Sequence, residues 1–284
     1  MSIKPRRMRI NFENVPMHWA TEPTFSTFIN SGSILASSLE PYMNRVMAKA
    51  REVLPPEKAH VRETIDHFIA QEGHHYRVHA GLNKQLFKVY PKLREFEEAM
   101  KKDMAEAEKS QSLLHNLGWC VAFENVAMYI ALLNYNRIDL FRNSRDRRIA
   151  ILFLWHTAEE FEHRSACHDV FGALSNSYFL RIKTLLVFSK FFGAWNDRIV
   201  SYMLEVDRAS MSPEELERSI RFEKWYKRLL FRSVTLNMSQ ILLPFYDPGK
   251  KKAPPLLERA LKEFDGMVMM PEPVGPEQDL AVAA

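Results

Sequence analysis

Cysteine, glycine and long apolar runs are all scarce in this chain. Two cysteines, Cys120 and Cys167, in 284 residues exclude a disulfide framework and point to a reducing, cytoplasmic setting. Nine glycines, with long runs rich in Leu, Ala, Glu and Lys, favour an all-α protein. No stretch sustains the period-2 alternation of a half-buried strand. No apolar run approaches the roughly 18 residues of a spanning helix; the closest, residues 185–195, is interrupted by Ser189 and Lys190. The basic N-terminus lacks an apolar signal core, so export is not expected. Charge of one sign is also missing. The net charge is +4 with Lys and Arg mixed among Asp and Glu, and no basic stripe invites nucleic acid.

What is present suits a packed helical domain. The chain is 46% hydrophobic and long enough to bury a sizeable core. Three prolines, Pro5, Pro16 and Pro23, mark residues 1–24 as an extended N-terminal arm. Residues 25–250 read as a single helical domain, with a bundle core over 25–175 and additional helices over 176–245. A small polar stretch at 31–38 precedes a helical pattern that runs to about residue 53. Further helices are expected over about 56–87, 112–141 and 145–174, with an exposed, charged connecting helix over 91–110. Two more are expected over about 177–207 and 213–242, the second opening at Ser212-Pro-Glu-Glu. Residues 251–284 read as a C-terminal tail, partly disordered, Pro-rich and poor in apolar residues from 271 onward.

A sparse pattern occurs twice. Glu40 is followed 32 residues later by Glu72-x-x-His75, and Glu124 is followed 36 residues later by Glu160-x-x-His163. Residues three apart share a helix face, so each Glu-x-x-His aims a carboxylate and an imidazole at one point. Two helices giving one Glu and two giving Glu-x-x-His is the ligand layout of a two-metal site in a four-helix bundle. The interval from Glu72 to Glu124 is 52 residues, longer than either half. A ferritin-like bundle of two antiparallel hairpins joined by one long crossover, with two extra C-terminal helices, accounts for this asymmetry.

Individual positions differ in strength. His156, Glu160 and His163 fall within a narrow arc of one helix, which lets that helix offer two imidazoles and a carboxylate to a single metal. Glu159 stands beside the arc, as an extra ligand or a supporting group. His79 shares the face of Glu72 and His75, and is an extra ligand, a supporting group or simply a polar residue lining the cavity. Glu124 is the one acidic residue between Lys109 and Asp139, in an apolar run, where an unpaired carboxylate is costly. Glu40 is chosen by symmetry with Glu124. Pro41 disfavours helical geometry at Glu40 and places it at a helix start or kink. Phe123, Met128, Trp119 and Trp155 are core residues by default and candidates to border a substrate pocket. Cys120 and Cys167 lie one turn from Glu124 and His163 and read as small buried apolar residues. Carboxylates with imidazoles suit two iron ions, or manganese, and zinc less well.

The chain resembles a bacterial family described as predicted metal-dependent hydrolases, over roughly residues 3–250. The resemblance is carried by Ile3-Lys-Pro-Arg-Arg7, Pro16-Met-His-Trp19, Gln71-Glu-Gly-His-His-Tyr-Arg-Val-His79 and the segment from Trp155 to Arg164. Two positions depart from it: Ser38-Leu-Glu40, where Pro and Gly usually precede the Glu, and Asn125, where His is common. The ligand set is also similar to that of the di-iron N-oxygenases that oxidise aryl-amines. That similarity implies one iron on Glu40, Glu72 and His75 and another on Glu124, His156, Glu160 and His163, bridged by Glu72 and Glu160.

Three functions compete. The leading expectation is an O2-dependent di-iron oxidase or oxygenase acting on a small organic molecule, served by an external reductase. The alternative is two-metal hydrolysis, which needs no electron source. Iron storage comes third. Basic, aromatic stretches such as Trp225-Tyr-Lys-Arg-Leu-Leu-Phe-Arg232 suit either snorkelling against the bundle or peripheral membrane contact. The apolar faces of the extra helices suit a homodimer.

Overall fold

The computed structural model describes residues 3–175, 177–267 and 274–275. Among them the regular structure is helical, and the β-pairing is an isolated parallel bridge between Ile10 and Val274. Helix α1 spans Pro23–Val53, α2 His60–Val89, α3 Lys92–Ser110, α4 Leu113–Asn136 and α5 Arg147–Glu162. Helices α6 (Ala166–Leu174), α7 (Tyr178–Arg208) and α8 (Pro213–Leu230) follow. A π turn, Phe231–Thr235, carries α8 into the short α9, Leu236–Met238, and α10 spans Pro255–Met267.

Helix α1 begins earlier than the serine-rich sequence suggests. Glu22 caps it by accepting from the Thr24 amide, and Pro23 occupies the first turn, where a missing N–H costs nothing. Ser31, Ser33, Ser37 and Ser38 are all buried inside it. The hydroxyls of Ser31 and Ser38 donate to carbonyls one turn back, while Ser33 donates to Asn83 on α2 and Ser37 to Glu97 on α3. Small side chains thus bring neighbouring helices close and still satisfy their own polar groups. The helix also runs through Pro41, so Glu40 sits in mid-helix rather than at a start. The lost backbone bond, costing about 3 kcal/mol, is offset by the buried neighbours Leu39, Tyr42 and Met43.

Helices α1 and α2 are antiparallel: contacts step from Ser33 with His79 through Asn44 with Ile69 to Arg51 with Asp66. Helices α4 and α5 are antiparallel too, by contacts of Tyr135 with Leu154 and of Glu124 with His163. The expected charged connector is α3. It buries only Leu93, Met100 and Met104, a single stripe, and its Glu97 and Glu108 face α1. Helix α4 is the most apolar element. By length and composition it alone among the described helices could cross a membrane, more so than residues 185–195, but 83% of its apolar stretch is buried inside the protein. Packing therefore accounts for its composition.

Two further differences from the sequence reading matter. The helix expected over 145–174 is broken at His163, whose backbone leaves helical geometry (φ −98°, ψ 16°), and α6 then starts at Ala166. No Gly or Pro marks that break. The expected tail from 251 contains α10, whose Leu257, Ala260, Leu261 and Phe264 are buried and which packs on α5. The spacing i, i+3, i+4, i+7 is a regular helical stripe, and Pro255 is a start signal. Most of the stretch from 271 expected to be disordered lies outside the described residues. The N-terminal arm is non-helical as expected, and buries Arg6, Met8, Phe12 and Trp19. Arg148 on α5 pins it by donating to the carbonyls of Asn11 and Glu13.

Candidate metal centre

The four helices that carry the repeated pattern bring its residues together. Glu40 comes from α1, Glu72, His75 and His79 from α2, Glu124 from α4, and His156, Glu159 and Glu160 from α5, with His163 just past its end. All are buried. Two groups of donors have atoms within 4.8 Å of one another: Glu40, His75, His156 and Glu160, and Glu72, His75, Glu160 and His163. His75 and Glu160 belong to both. Within them His156 Nε2 is 2.7 Å from Glu160 and 3.4 Å from Glu40, His75 Nδ1 is 3.6 Å from both Glu72 and Glu160, and His163 Nε2 is 3.3 Å from Glu72.

The donor atoms at the middle have nothing else to bind. Both oxygens of Glu40 and of Glu72, one oxygen each of Glu124 and Glu160, His75 Nδ1 and His163 Nε2 are buried without a hydrogen-bond partner. Leaving so many polar atoms dry and unpaired is expensive. Among the ion pairs of the described residues none joins a Lys or Arg to Glu40, Glu72, Glu124 or Glu160, and four carboxylates match the charge of two divalent cations. The donor set fits a metal pair on charge, chemistry and orphaned atoms alike.

Each imidazole is held from behind. His75 Nε2 lies 2.8 Å from Glu159, and Glu159 accepts from Arg6 at 2.9 Å. Arg6 also binds Glu162 and Asp265, and Gln71 donates to Glu162. His156 Nδ1 lies 2.6 Å from His79 Nε2, and His79 Nδ1 lies 2.9 Å from Ser33. His163 Nδ1 lies 2.8 Å from Glu124. Fixing the outer nitrogen in this way sets ring orientation and tautomer at metal sites.

Burial and crowding set the protonation of the cluster. Burial, then the neighbouring Glu72, raises Glu40 well above the usual carboxylate range. Burial, then Glu160, does the same to Glu124, and burial with Glu72 lifts Glu160 to about 7. Burial would raise Glu72 too, but the nearby imidazoles of His75 and His163 outweigh this and leave it low. Burial opposes protonation of His75, yet Glu159 and Glu72 win and raise it. Burial, then a neighbouring imidazole, lowers His79 and His156.

Compared with the sequence reading, Glu40, Glu72, His75, His156, Glu160 and His163 meet in the two groups, and Glu124 stands just outside them, against His163. His156 and His163 do not share a group. Seven residues of helix separate them by about 10 Å along the axis, so a common face does not mean a common point. They straddle Glu160, one beside Glu40 and the other beside Glu72. His79 and Glu159 take supporting places. Arg6, Gln71 and Ser33 were not legible as site residues. The available signal was Glu159 beside the ligand arc, a carboxylate whose cation would have to come from elsewhere in the chain.

The four candidates to border a pocket are packed in the core, as their default reading has it. Trp119 and Phe123 meet Phe188, Phe191 and Phe192 of α7, Met128 is fully buried, and Trp155 stands edge-on to His75 with ring centroids 4.9 Å apart. Cys120 and Cys167 are free and buried. Burial raises the Cys167 thiol well above its usual range, which suits an apolar filler rather than a nucleophile.

Neither a curated protein nor a solved structure matches the chain. A family profile described as "predicted metal-dependent hydrolase" matches residues 4–252. That description favours the hydrolase reading, placed second on sequence grounds, over the oxygenase reading placed first, and it spans the arm, all donor helices and α7 to α9. The chain belongs to the family of predicted metal-dependent hydrolases.

Proposed function

We propose that the protein is a metal-dependent hydrolase whose buried centre takes two divalent ions. The observation that carries this is the convergence of unpartnered donor atoms into two groups that share His75 and Glu160. Glu40, His156 and Glu160 would hold one ion and Glu72, Glu160 and His163 the other, with the single free nitrogen of His75, Nδ1, available to one of the two. We read α1, α2, α4 and α5 as the ferritin-like bundle that holds them. When bound, such a pair lowers the pKa of water and polarises the oxygen of a scissile bond.

The chain's own residues prepare this chemistry. With Nδ1 of His75 facing the ions, its Nε2–H donates to Glu159. With Nε2 of His156 facing them, its Nδ1–H donates to His79, whose Nδ1–H donates to Ser33. His163 donates its Nδ1–H to Glu124. All three rings are thereby fixed in one tautomer. Glu124 Oε1 is unpartnered, and Glu124 is outside both donor groups, so it is the carboxylate free to take the proton from attacking water. The apolar walls of α4 and α5 exclude bulk solvent.

The test is metal analysis followed by a screen of ester, amide and phosphoester cleavage without O2. About two divalent ions per chain and metal-dependent cleavage are expected. Glu124→Gln should keep the ions and lower kcat about 100-fold or more. Cleavage that survives metal removal would sink the hydrolase reading.

A second reading is O2-dependent oxidation at an iron pair. It is favoured by three imidazoles among carboxylates in a fully buried site, a donor set that suits iron. Iron content with O2-dependent substrate oxidation and no anaerobic cleavage would select it.

A further inference from the structure

A small cavity of about 220 Å³ lies away from the donor cluster, among α6, the first turns of α7 and the segment after α9. Arg181 lines it, only 8% exposed. One arm of its guanidinium donates to the Leu243 carbonyl, the group lies over the Tyr178 ring, and its Nε has no partner. No carboxylate among the described residues pairs with it. Asp169 is exposed and stands 3.6 Å from His168 Nδ1, and Asp247 is taken up by the Gly249 amide and Lys250. His168 Nδ1, also on the cavity wall, has no hydrogen-bond partner. The N-terminus of the 31-residue α7 opens onto the same space through Ser177 and Tyr178, and its dipole adds positive potential. A buried, uncompensated guanidinium is costly, and an oxyanion is the group that relieves it.

The rim of this cavity is unusually apolar. Phe245 is 93% exposed and Phe179 83% exposed, and Leu242 and Leu243 are exposed beside them. Hydrogen bonds from Tyr178 to the Leu242 carbonyl and from Arg181 to the Leu243 carbonyl place this rim against the cavity mouth. Lys250, highly exposed, follows Phe245 by five residues along the chain. Large side chains at full exposure are expensive in water, and an apolar rim around a cationic hole matches an amphiphile rather than a free ion.

We propose that this cavity receives the oxyanion head group of a membrane lipid, with Arg181 as its counter-charge and Phe179, Leu242, Leu243 and Phe245 entering the acyl layer. The protein would thus rest on an anionic bilayer through the α7 N-terminus and the 242–245 loop, independently of the chemistry of the metal centre.

The test is flotation of the full chain with vesicles of phosphatidylcholine alone or with added phosphatidic acid, alongside calorimetry with inorganic phosphate. Capture by the acidic vesicles and not by the neutral ones is expected. Phe245→Asp changes a side chain that packs on nothing and should weaken capture at least about tenfold while leaving the thermal transition in place. Arg181→Gln should weaken it comparably. Equal capture by neutral vesicles, or no capture, overturns the proposal. So does phosphate binding in solution that Phe245→Asp leaves unchanged without vesicle capture, which would make the cavity a site for a small soluble oxyanion.

Discussion

The Glu-x-x-His pairs and Glu124 were legible because helical spacing and the cost of a lone buried carboxylate both act locally. The partition of the imidazoles was not. A helical projection shows angle and hides rise, so His156 and His163 looked convergent although they lie at opposite ends of the centre. Arg6 was illegible for another reason: its partners Glu159 and Glu162 are more than 150 positions away. The protonation of the cluster yields a prediction at this scale. Glu40, Glu124 and Glu160 have raised affinities for protons, Glu160 to about 7, and His75 is raised as well. His79 and His156 are lowered and already neutral. Ions can enter only as the raised groups lose their protons, so affinity must be weak at low pH and grow as pH rises through about 7. Each proton released steepens the rise by about tenfold per pH unit. Calorimetry of divalent-ion binding in buffers of different ionisation heat should show net proton release at pH 6. Heats independent of buffer would contradict the assignment.

At the scale of elements, the four donor helices and the charged connector follow from periodicity, caps and charge. The start of α1, the α5–α6 break and α10 do not, for separate physical reasons. Serines that read as a loop signal become a packing surface once Asn83 and Glu97 take their hydroxyl bonds. The break at His163 has no local breaker residue. The stripe of α10 was present in the sequence but obscured by its Pro-rich flanks. The contact between α4 and α7 depends on a single missing side chain. A Cβ at Gly118 would lie 2.7 Å from Thr184 Cβ and 2.8 Å from its Cγ2, closer than packed atoms allow. Gly118→Ala should therefore cost about 2 kcal/mol, seen as a drop of several degrees in Tm. Paired with Thr184→Ala, which removes Cγ2 and the hydroxyl but keeps Cβ, part of that loss should return. A single variant as stable as the parent would show that the two helices do not cross so closely.

At the scale of the whole molecule, distant segments serve one centre. The arm supplies Arg6, α10 supplies Asp265 to hold it, and α5 turns Glu159 and Glu162 outward to receive it, while Glu160 faces inward. Removing the ions leaves four carboxylates buried together with no Lys or Arg paired to them among the described residues, so the folded state must keep protons on some of them or open. Ion binding to the folded chain alone stabilises it by about 4 kcal/mol per site at a thousandfold excess over Kd. For two sites, stripping the metal with a chelator should lower Tm by on the order of 10 °C or more. The loss should be greater at pH 8 than at pH 6, because at pH 6 Glu40, Glu124 and Glu160 can stay neutral in the empty cluster. Re-adding divalent ions should restore the transition in the parent and less completely in Glu160→Gln, since Glu160 belongs to both donor groups. A Tm unmoved by chelation, in protein shown to have carried metal, would mean that the ions sit elsewhere than in this cluster.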